Sequence, residues 1–227
     1  MPPHPKAVIF DVDGTLIDTV DLHAEAWVEA LRHFGVEVPF EDMRLQIGKG
    51  GDQLLLGLLP PDRIERDAER IQHFRTDLFA RDYMHKAEAF PGVRELFEHI
   101  RATGRRAVLA SSGKADEVER YKEIAGIADL VDDATSSDDA ERSKPYPDIF
   151  QAALARLRDV EPGEAVVVGD TPYDAEAARK AGVRSVGVLC GGFPEEALRS
   201  AGCIAVYRDP ADLLRRFDET PLAGMLP

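Results

Sequence analysis

The sequence predicts an α/β protein: a parallel sheet with helices on both faces, interrupted by an all-helical insertion. Three observations lead there. Short apolar runs alternate with amphipathic helical segments through most of the chain, as a parallel sheet built from strand–helix units requires. Between residues 17 and 86 that alternation stops and only helical patterns occur, which marks an inserted domain. Several apolar runs end in polar residues (Asp11, Ser111, Asp170), and the carboxyl edge of such a sheet is where ligands sit.

The first run, Ala7-Val8-Ile9-Phe10, reads as a buried strand. Asp21 to Phe34 then reads as an amphipathic helix, with Leu22, Ala26, Leu31 and Phe34 at helix-compatible spacings. Helical patterns continue over Asp52 to Leu59 and Asp62 to about Tyr83, separated by Pro60-Pro61. No strand pattern stands out between Leu16 and His85. Residues 17–86 are therefore expected to form a helical cap, and residues 1–16 and 87–227 the sheet-bearing core. Phe90-Pro91-Gly92-Val93 opens a helix to Thr103 that Gly104 stops, and a strand at Ala107 to Ala110 runs into Ser111-Ser112-Gly113-Lys114. Helices at Ala115 to Ala125 and Asp148 to Leu157 precede a strand at Ala165 to Val168 that ends in Gly169-Asp170. A helix from Tyr173 to Ala181, strands at Ser185 to Leu189 and Ile204 to Val206, and a helix from Ala211 to Phe217 complete the pattern.

Composition narrows the function classes. The 227 residues are 44% hydrophobic and 31% charged, enough apolar material for one large or two small domains. No run approaches the ~18 apolar residues of a membrane span. The N-terminal segment also lacks the apolar stretch of a signal peptide, so a cytoplasmic protein with no membrane partner is expected. Cys190 and Cys203 make neither a disulfide framework nor a zinc set, and are expected to serve packing. A net charge of −14 argues against nucleic acid as a partner, because its phosphates need a basic surface. Small phosphorylated molecules stay open, since a few local cations can hold them.

The chemistry concentrates at the ends of the runs. Asp11 and Asp13 stand two apart where the first run stops, so on an extended chain both point the same way, and Gly14 lets the chain bend directly afterwards. Two carboxylates this close repel, and a cation or a shared proton is expected between them. An ordinary strand followed by an Asp-Gly turn would look similar. Ser111 and Asp170 end two further strands, Asp174 follows four residues after Asp170, and Lys144 lies between them in the sequence. Alone, Ser111 reads as a turn residue and Lys144 as a solvated loop cation. Parallel strands bring their carboxyl ends to one edge, so the whole set can meet in one site.

In this order, these segments resemble the motifs of the haloacid dehalogenase superfamily of phosphohydrolases, in its subgroup with a helical cap inserted after the first motif. The first motif appears as Asp11-Val12-Asp13-Gly14-Thr15, and the second as Ser111 at a strand end. The third appears as Lys144 in Ser143-Lys144-Pro145-Tyr146-Pro147-Asp148, and the fourth as Gly169-Asp170-Thr171-Pro172-Tyr173-Asp174. The resemblance runs from Val8 to Val206 and implies a Rossmann-like core. It implies that Asp11 is the nucleophile toward phosphorus and that Asp13 protonates the leaving oxygen and then activates water. Mg²⁺ is the implied cofactor, bound by Asp11, the backbone carbonyl of Asp13 and Asp170, with Asp174 behind them orienting a ligand or water. Lys144 and Ser111, with Ser112 and Gly113 at a helix start, are implied to hold the phosphoryl group of a small phosphorylated metabolite.

Some neighbours carry two readings. Lys114 opens the same helix but reads equally as surface charge. His23 is either a helix-surface histidine or a group near the leaving oxygen, and Trp27, one turn on, reads as cap packing. The glycine-rich Ile47-Gly48-Lys49-Gly50-Gly51-Asp52 stands where the family's cap carries its specificity loop, with Lys49 as a substrate contact or part of a plain interhelix turn. It is no nucleotide P-loop, because no Ser or Thr follows Lys49 and no strand precedes it. The second Asp argues against a dehalogenase, which has no alkoxide to protonate, and the first motif departs from that of a phosphonatase. A sugar phosphomutase of the β-phosphoglucomutase type is the nearest alternative. Yet Gly51 stands roughly where that enzyme has an arginine, and Gly169-Asp170 where it has Glu-Asp. A noncatalytic binding protein on this fold ranks last, because every motif residue is present.

Overall fold

The computed structural model describes residues 5–224. The chain enters the core through strand β1 (Ala7–Phe10), turns, and forms the two-residue β2 (Ile17–Asp18). Four helices follow: α1 (Val20–His33), α2 (Phe40–Arg44), α3 (Gly51–Leu58) and α4 (Pro61–Asp82). The chain returns through β3 (Glu88–Ala89), which pairs antiparallel with β2, Ile17 opposite Ala89 and Asp18 opposite Glu88. The core then runs α5 (Val93–Ala102), β4 (Arg106–Ala110), α6 (Ala115–Ile124), β5 (Asp133–Thr135), α7 (Asp148–Arg156), β6 (Ala165–Gly169), α8 (Pro172–Lys180), β7 (Arg184–Val188), α9 (Glu195–Ala201), β8 (Cys203–Tyr207) and α10 (Pro210–Arg215).

The main sheet has six strands in the order β5-β4-β1-β6-β7-β8, all pairs parallel. β1 lies between β4 and β6, with Phe10 opposite Leu109 and Val168. Successive β1 residues serve opposite layers: Val8 and Phe10 join one apolar cluster, Ala7 and Ile9 the other. Both faces are buried, which is why β1 reads as an unbroken apolar run rather than an alternating one. Because β4, β1 and β6 run side by side in one direction, the residues just beyond their ends emerge at one edge.

The helices α1–α4 carry their own apolar cluster, built on Val20, Ala24, Trp27, Leu31, Met43, Leu54, Leu55 and Ile71. The β2/β3 ribbon sets the two crossings between core and cap beside each other. This ribbon, α2, β5 and α9 depart from the sequence-based expectation, and for one reason. They are short, and β5 reads Asp-Ala-Thr, too brief and too polar to show a strand's period. Both cysteines are free: Cys203 packs beside Leu198 and Ala175, and Cys190 Sγ lies 3.2 Å from the Gly14 carbonyl. No helix among the described residues is long and apolar enough to cross a membrane.

Candidate active site

The sheet edge gathers Asp11, Ser111, Lys144, Asp170 and Asp174 into one buried cluster, with the partly exposed Asp13 beside it. β1 delivers Asp11, and Gly14, at φ +80°, reverses the chain immediately behind it. A Cβ on Gly14 would lie 2.5 Å from Asp170 Oδ2 and 2.6 Å from Val20, so both its conformation and its bareness are needed. The Thr15 hydroxyl then sits 3.0 Å from Asp11 Oδ2 and 2.8 Å from Asp170 Oδ1, donating to one or the other.

Lys144 is fully buried. Its Nζ pairs with Asp11 Oδ1, lies 2.7 Å from Asp174 Oδ1 and donates to the Ala110 carbonyl at 3.3 Å. Burial alone would push the ammonium toward neutrality, but Asp11 and Asp174 overcome it and hold Lys144 above its ordinary pKa. Burial raises the Asp11 carboxyl to about 7, with Lys144 opposing and Asp174 and Asp13 adding to the rise. Asp170 is pushed up too, by burial and then by Asp11 and Asp174.

Carboxylate oxygens of Asp11, Asp170 and Asp174 lie within 4.8 Å of one another. Once ionised, three carboxylates against one ammonium leave two negative charges for a cation or protons to compensate. Among the described residues Asp170 Oδ2 is buried without a hydrogen-bond donor, and the Gly191 backbone closes over it so tightly that a Cβ there would come within 1.7 Å. Hard oxygen donors, excess charge and an orphaned carboxylate oxygen fit Mg²⁺. Asp174 stands closer than the supporting place expected for it. Its Oδ2 is taken up by the Thr171 hydroxyl at 2.6 Å and the Thr171 N–H at 3.1 Å, which fixes the carboxylate at the start of α8.

The Asp13 side chain turns the other way. Its Oδ1 accepts from the Thr19 hydroxyl and lies 2.7 Å from His23 Nε2, and its Oδ2 is 3.5 Å from Ser111 Oγ. His23 is buried, stacked 4.1 Å over Phe79, with Tyr121 Oη 3.2 Å from its Nε2. Arg75 of α4 contacts His23 Nδ1. A guanidinium only donates, so Nδ1 accepts and a neutral His23 carries its proton on Nε2, toward Asp13. Burial would raise the Asp13 pKa, but His23, Thr19 and Arg75 prevail and bring it down to about 2.

These groups border a cavity of about 60 Å³ lined by Asp11, Asp13, His23, Lys49, Ser112 and Glu117, among others. Ser111 Oγ accepts the Gly113 N–H at 2.9 Å, setting up the turn into α6, and Ser112 Oγ is buried at the cavity wall with no partner among the described residues. Lys114 stays outside this inner cavity, paired with Asp138 at 2.9 Å on the surface. Lys49 reaches the site from the cap, with Nζ 2.7 Å from Gln46 Oε1 and 4.7 Å over the Tyr173 ring. Trp27 belongs to the cap cluster as expected, and it also borders the cavity beneath the Arg75 guanidinium.

The cap is seated on the core. Tyr173 Oη donates to the Leu45 carbonyl at 2.7 Å, and Asp52 Oδ2 accepts the Ser143 N–H at 3.1 Å. A Cβ on Gly48 would lie 2.6 Å from Thr171 Cγ2, and one on Gly50 2.0 Å from Ser143 Oγ. The glycines let the loop lie against the third and fourth motif segments. Sequence reasoning missed Arg75, Glu117, Thr19 and Tyr121. Arg75 sits among several charged residues of α4, and nothing in that pattern distinguishes it.

Residues 5–182 match the haloacid dehalogenase-like hydrolase family. The phosphoglycolate phosphatase of Rhodospirillum rubrum is 31% identical over 219 residues, covering 92% of this chain and 89% of that protein. The protein SUPPRESSOR OF QUENCHING 1 of Arabidopsis thaliana is 32% identical over 201 residues, 87% of this chain but only 19% of that much longer protein. A solved hydrolase from Pseudomonas syringae superposes with a TM-score of 0.84 at 31% identity, covering 94% of this chain and 98% of its own. With its four motif segments gathered at one sheet edge under a helical cap, the chain belongs to the haloacid dehalogenase-like hydrolase family.

Proposed function

We propose that this enzyme is a phosphatase that hydrolyses a small phosphorylated metabolite through an aspartyl-phosphate intermediate. The observation that carries the reading is Asp11 at the end of the central strand, paired with the buried Lys144 and set in a carboxylate cluster whose oxygens lie close enough to hold a divalent cation. In this reading an Asp11 oxygen forms the new bond to phosphorus as the ester P–O bond breaks, and Asp13 gives a proton to the departing oxygen. A phosphate dianion arriving beside Asp13 works against the depression of its pKa and favours the protonated acid. Asp13 then takes a proton from the water that cleaves the acyl phosphate, and Asp11 is restored. Mg²⁺, held by Asp11, Asp170 and the Asp13 backbone carbonyl with Asp174 at hand, would neutralise charge on the phosphoryl oxygens. Lys144 holds a phosphoryl oxygen, and the Ser111 and Ser112 hydroxyls supply donors at the start of α6, where the Gly113 N–H fixes Ser111 Oγ.

The site supports hydrolysis better than phosphoryl transfer to a second sugar. Gly51 stands roughly where a mutase carries an arginine, and it supplies no side chain to hold the phosphate of a second sugar. The test is turnover of p-nitrophenyl phosphate with and without Mg²⁺, together with Asp11→Asn. Hydrolysis should require the metal, and the variant should lose at least ~100-fold in kcat while remaining folded. Full activity in excess EDTA, or an Asn variant above about a tenth of the wild-type rate, overturns the mechanism.

A further inference from the structure

Behind the phosphoryl-binding groups, the cavity wall holds a buried carboxylate that the reaction described above does not use. Glu117, in the first turn of α6, is 4% exposed and borders the inner cavity. Its Oε1 accepts from Arg75 Nη1 at 3.1 Å, across the boundary between cap and core. Its Oε2 is buried and has no hydrogen-bond donor among the described residues. An acceptor left in that condition is costly, and a bound molecule that brings a donor relieves it. A second cavity of about 200 Å³ continues outward and shares Trp27, Gly51, Arg75, Ser112 and Gly113 with the first. Its remaining wall is polar, with Gln72, Thr76 and Ser137 among its residues.

The cations along this path are partly matched, and Arg75 Nε is buried with no acceptor among the described residues. Arg75 is held by Glu117 and Lys114 by Asp138, while Asp52 and Glu141 add negative charge to the outer wall. Lys49 keeps to the inner cavity, beside the phosphoryl site. A leaving group that carries its own carboxylate would meet Glu117 with like charge, whereas a hydroxyl can accept from Arg75 Nε and still donate to Glu117. A leaving group with hydroxyls offers the donor that Glu117 Oε2 lacks and further hydrogen bonds to Gln72, Thr76 and the serines.

We propose that Glu117 is a specificity-determining residue that selects phosphate esters of polyhydroxylated, uncharged leaving groups (sugar or polyol phosphates) over phosphorylated carboxylic acids. The inference rests on the phosphatase reading and names the substrate class of that same site. It also separates this chain from a relative named for phosphoglycolate.

The experiment compares kcat/KM for sorbitol 6-phosphate, fructose 1-phosphate, 2-phosphoglycolate and p-nitrophenyl phosphate, with wild-type enzyme and Glu117→Gln, in saturating Mg²⁺. Wild-type enzyme should favour at least one polyol or sugar ester over 2-phosphoglycolate by tenfold or more. Glu117→Gln removes the charge and presents an amide N–H, so the ratio of polyol ester to phosphoglycolate should fall at least tenfold. A residue that served only to hold Arg75 would lower both substrates together. Preference of the wild-type enzyme for 2-phosphoglycolate, or an unchanged ratio in the variant, overturns the proposal. The wild-type comparison decides even if the variant does not fold. Loss of the phosphatase reading would look different: no Mg²⁺-dependent turnover of any ester, p-nitrophenyl phosphate included.

Discussion

Asp11 and Asp13 are two residues apart yet stand in opposite electrostatic environments. Asp11 is raised by burial among other carboxylates, while Asp13 is brought to about 2 by His23, Thr19 and Arg75, which prevail over its burial. Thr19 and His23 bond to Asp13 and drive its side of the split, whereas the Thr15 hydroxyl, near Asp11 and Asp170, only tempers the rise that burial causes at Asp170. These values run against the assigned roles, because the attacking carboxylate must be ionised and the acid protonated; Mg²⁺ held by Asp11 would lower its pKa, and a phosphate dianion beside Asp13 raises that of the acid. Asp13→Asn should then slow phosphoenzyme formation from alkyl phosphates by ~10²-fold or more, but that from p-nitrophenyl phosphate much less. A p-nitrophenolate leaves without a proton, whereas an alkoxide does not. Single-turnover rates with both ester types check this, and equal losses would remove Asp13 from the role of acid. His23→Ala should weaken the acid step in the same substrate-dependent direction, because it deletes the hydrogen bond that aims the Asp13 carboxylate.

At the scale of elements, the glycine-rich loop between α2 and α3 acts through closeness. Gly50 has φ −73°, which alanine adopts freely, so Gly50→Ala leaves the backbone unstrained and tests only the space facing Ser143. The added methyl must displace either the cap loop or Ser143, the neighbour of Lys144. Overpacking of this kind costs ~1–3 kcal/mol, so kcat/KM for a cap-contacting substrate should fall about tenfold or more. Because the cap can lift instead, thermal stability should change little. Combining Gly50→Ala with Ser143→Gly should return most of the lost rate. No recovery in the double variant would mean that the loop's contact with Ser143 is not what matters. The elements differ sharply in how far they can be read from sequence. β1, β4, β6 and β7 are buried on both faces and write themselves as apolar runs, and the residues just past three of them are the candidate site. The β2/β3 ribbon and β5 have two or three residues each, and no period can show in so few. Arg75 and Glu117 escaped for a different reason. Their meeting depends on how α4 lies across α6, a packing of cap against core that leaves no pattern along the chain.

For the whole molecule, the carboxylate cluster links metal, pH and stability. Asp11 and Asp170 have folded pKa values above those of the unfolded chain, so the folded state prefers them protonated. The stability this contributes is complete below about pH 4, near the unfolded Asp pKa, and is lost as pH rises through about 7, where Asp11 ionises. Asp13 is lowered to about 2, so its contribution is already in place at pH 5.5 and stays constant above it. Between pH 5.5 and 8 the cluster's titration is therefore the term that moves, and in EDTA the melting temperature should drop over that interval. Mg²⁺ competes with those protons and binds the ionised carboxylates. Its stabilising effect should accordingly grow with pH, reaching on the order of 5 °C at pH 8 with the metal ~100-fold above its Kd. Asp170→Asn should raise the melting temperature measured in EDTA at pH 8, since it removes one repelling charge, and should abolish most of the gain from Mg²⁺. Melting curves for both proteins at pH 5.5 and 8, with EDTA or Mg²⁺, provide the check. A Mg²⁺ gain that is the same at both pH values, or one that survives in Asp170→Asn, would mean that the metal binds somewhere other than among these carboxylates.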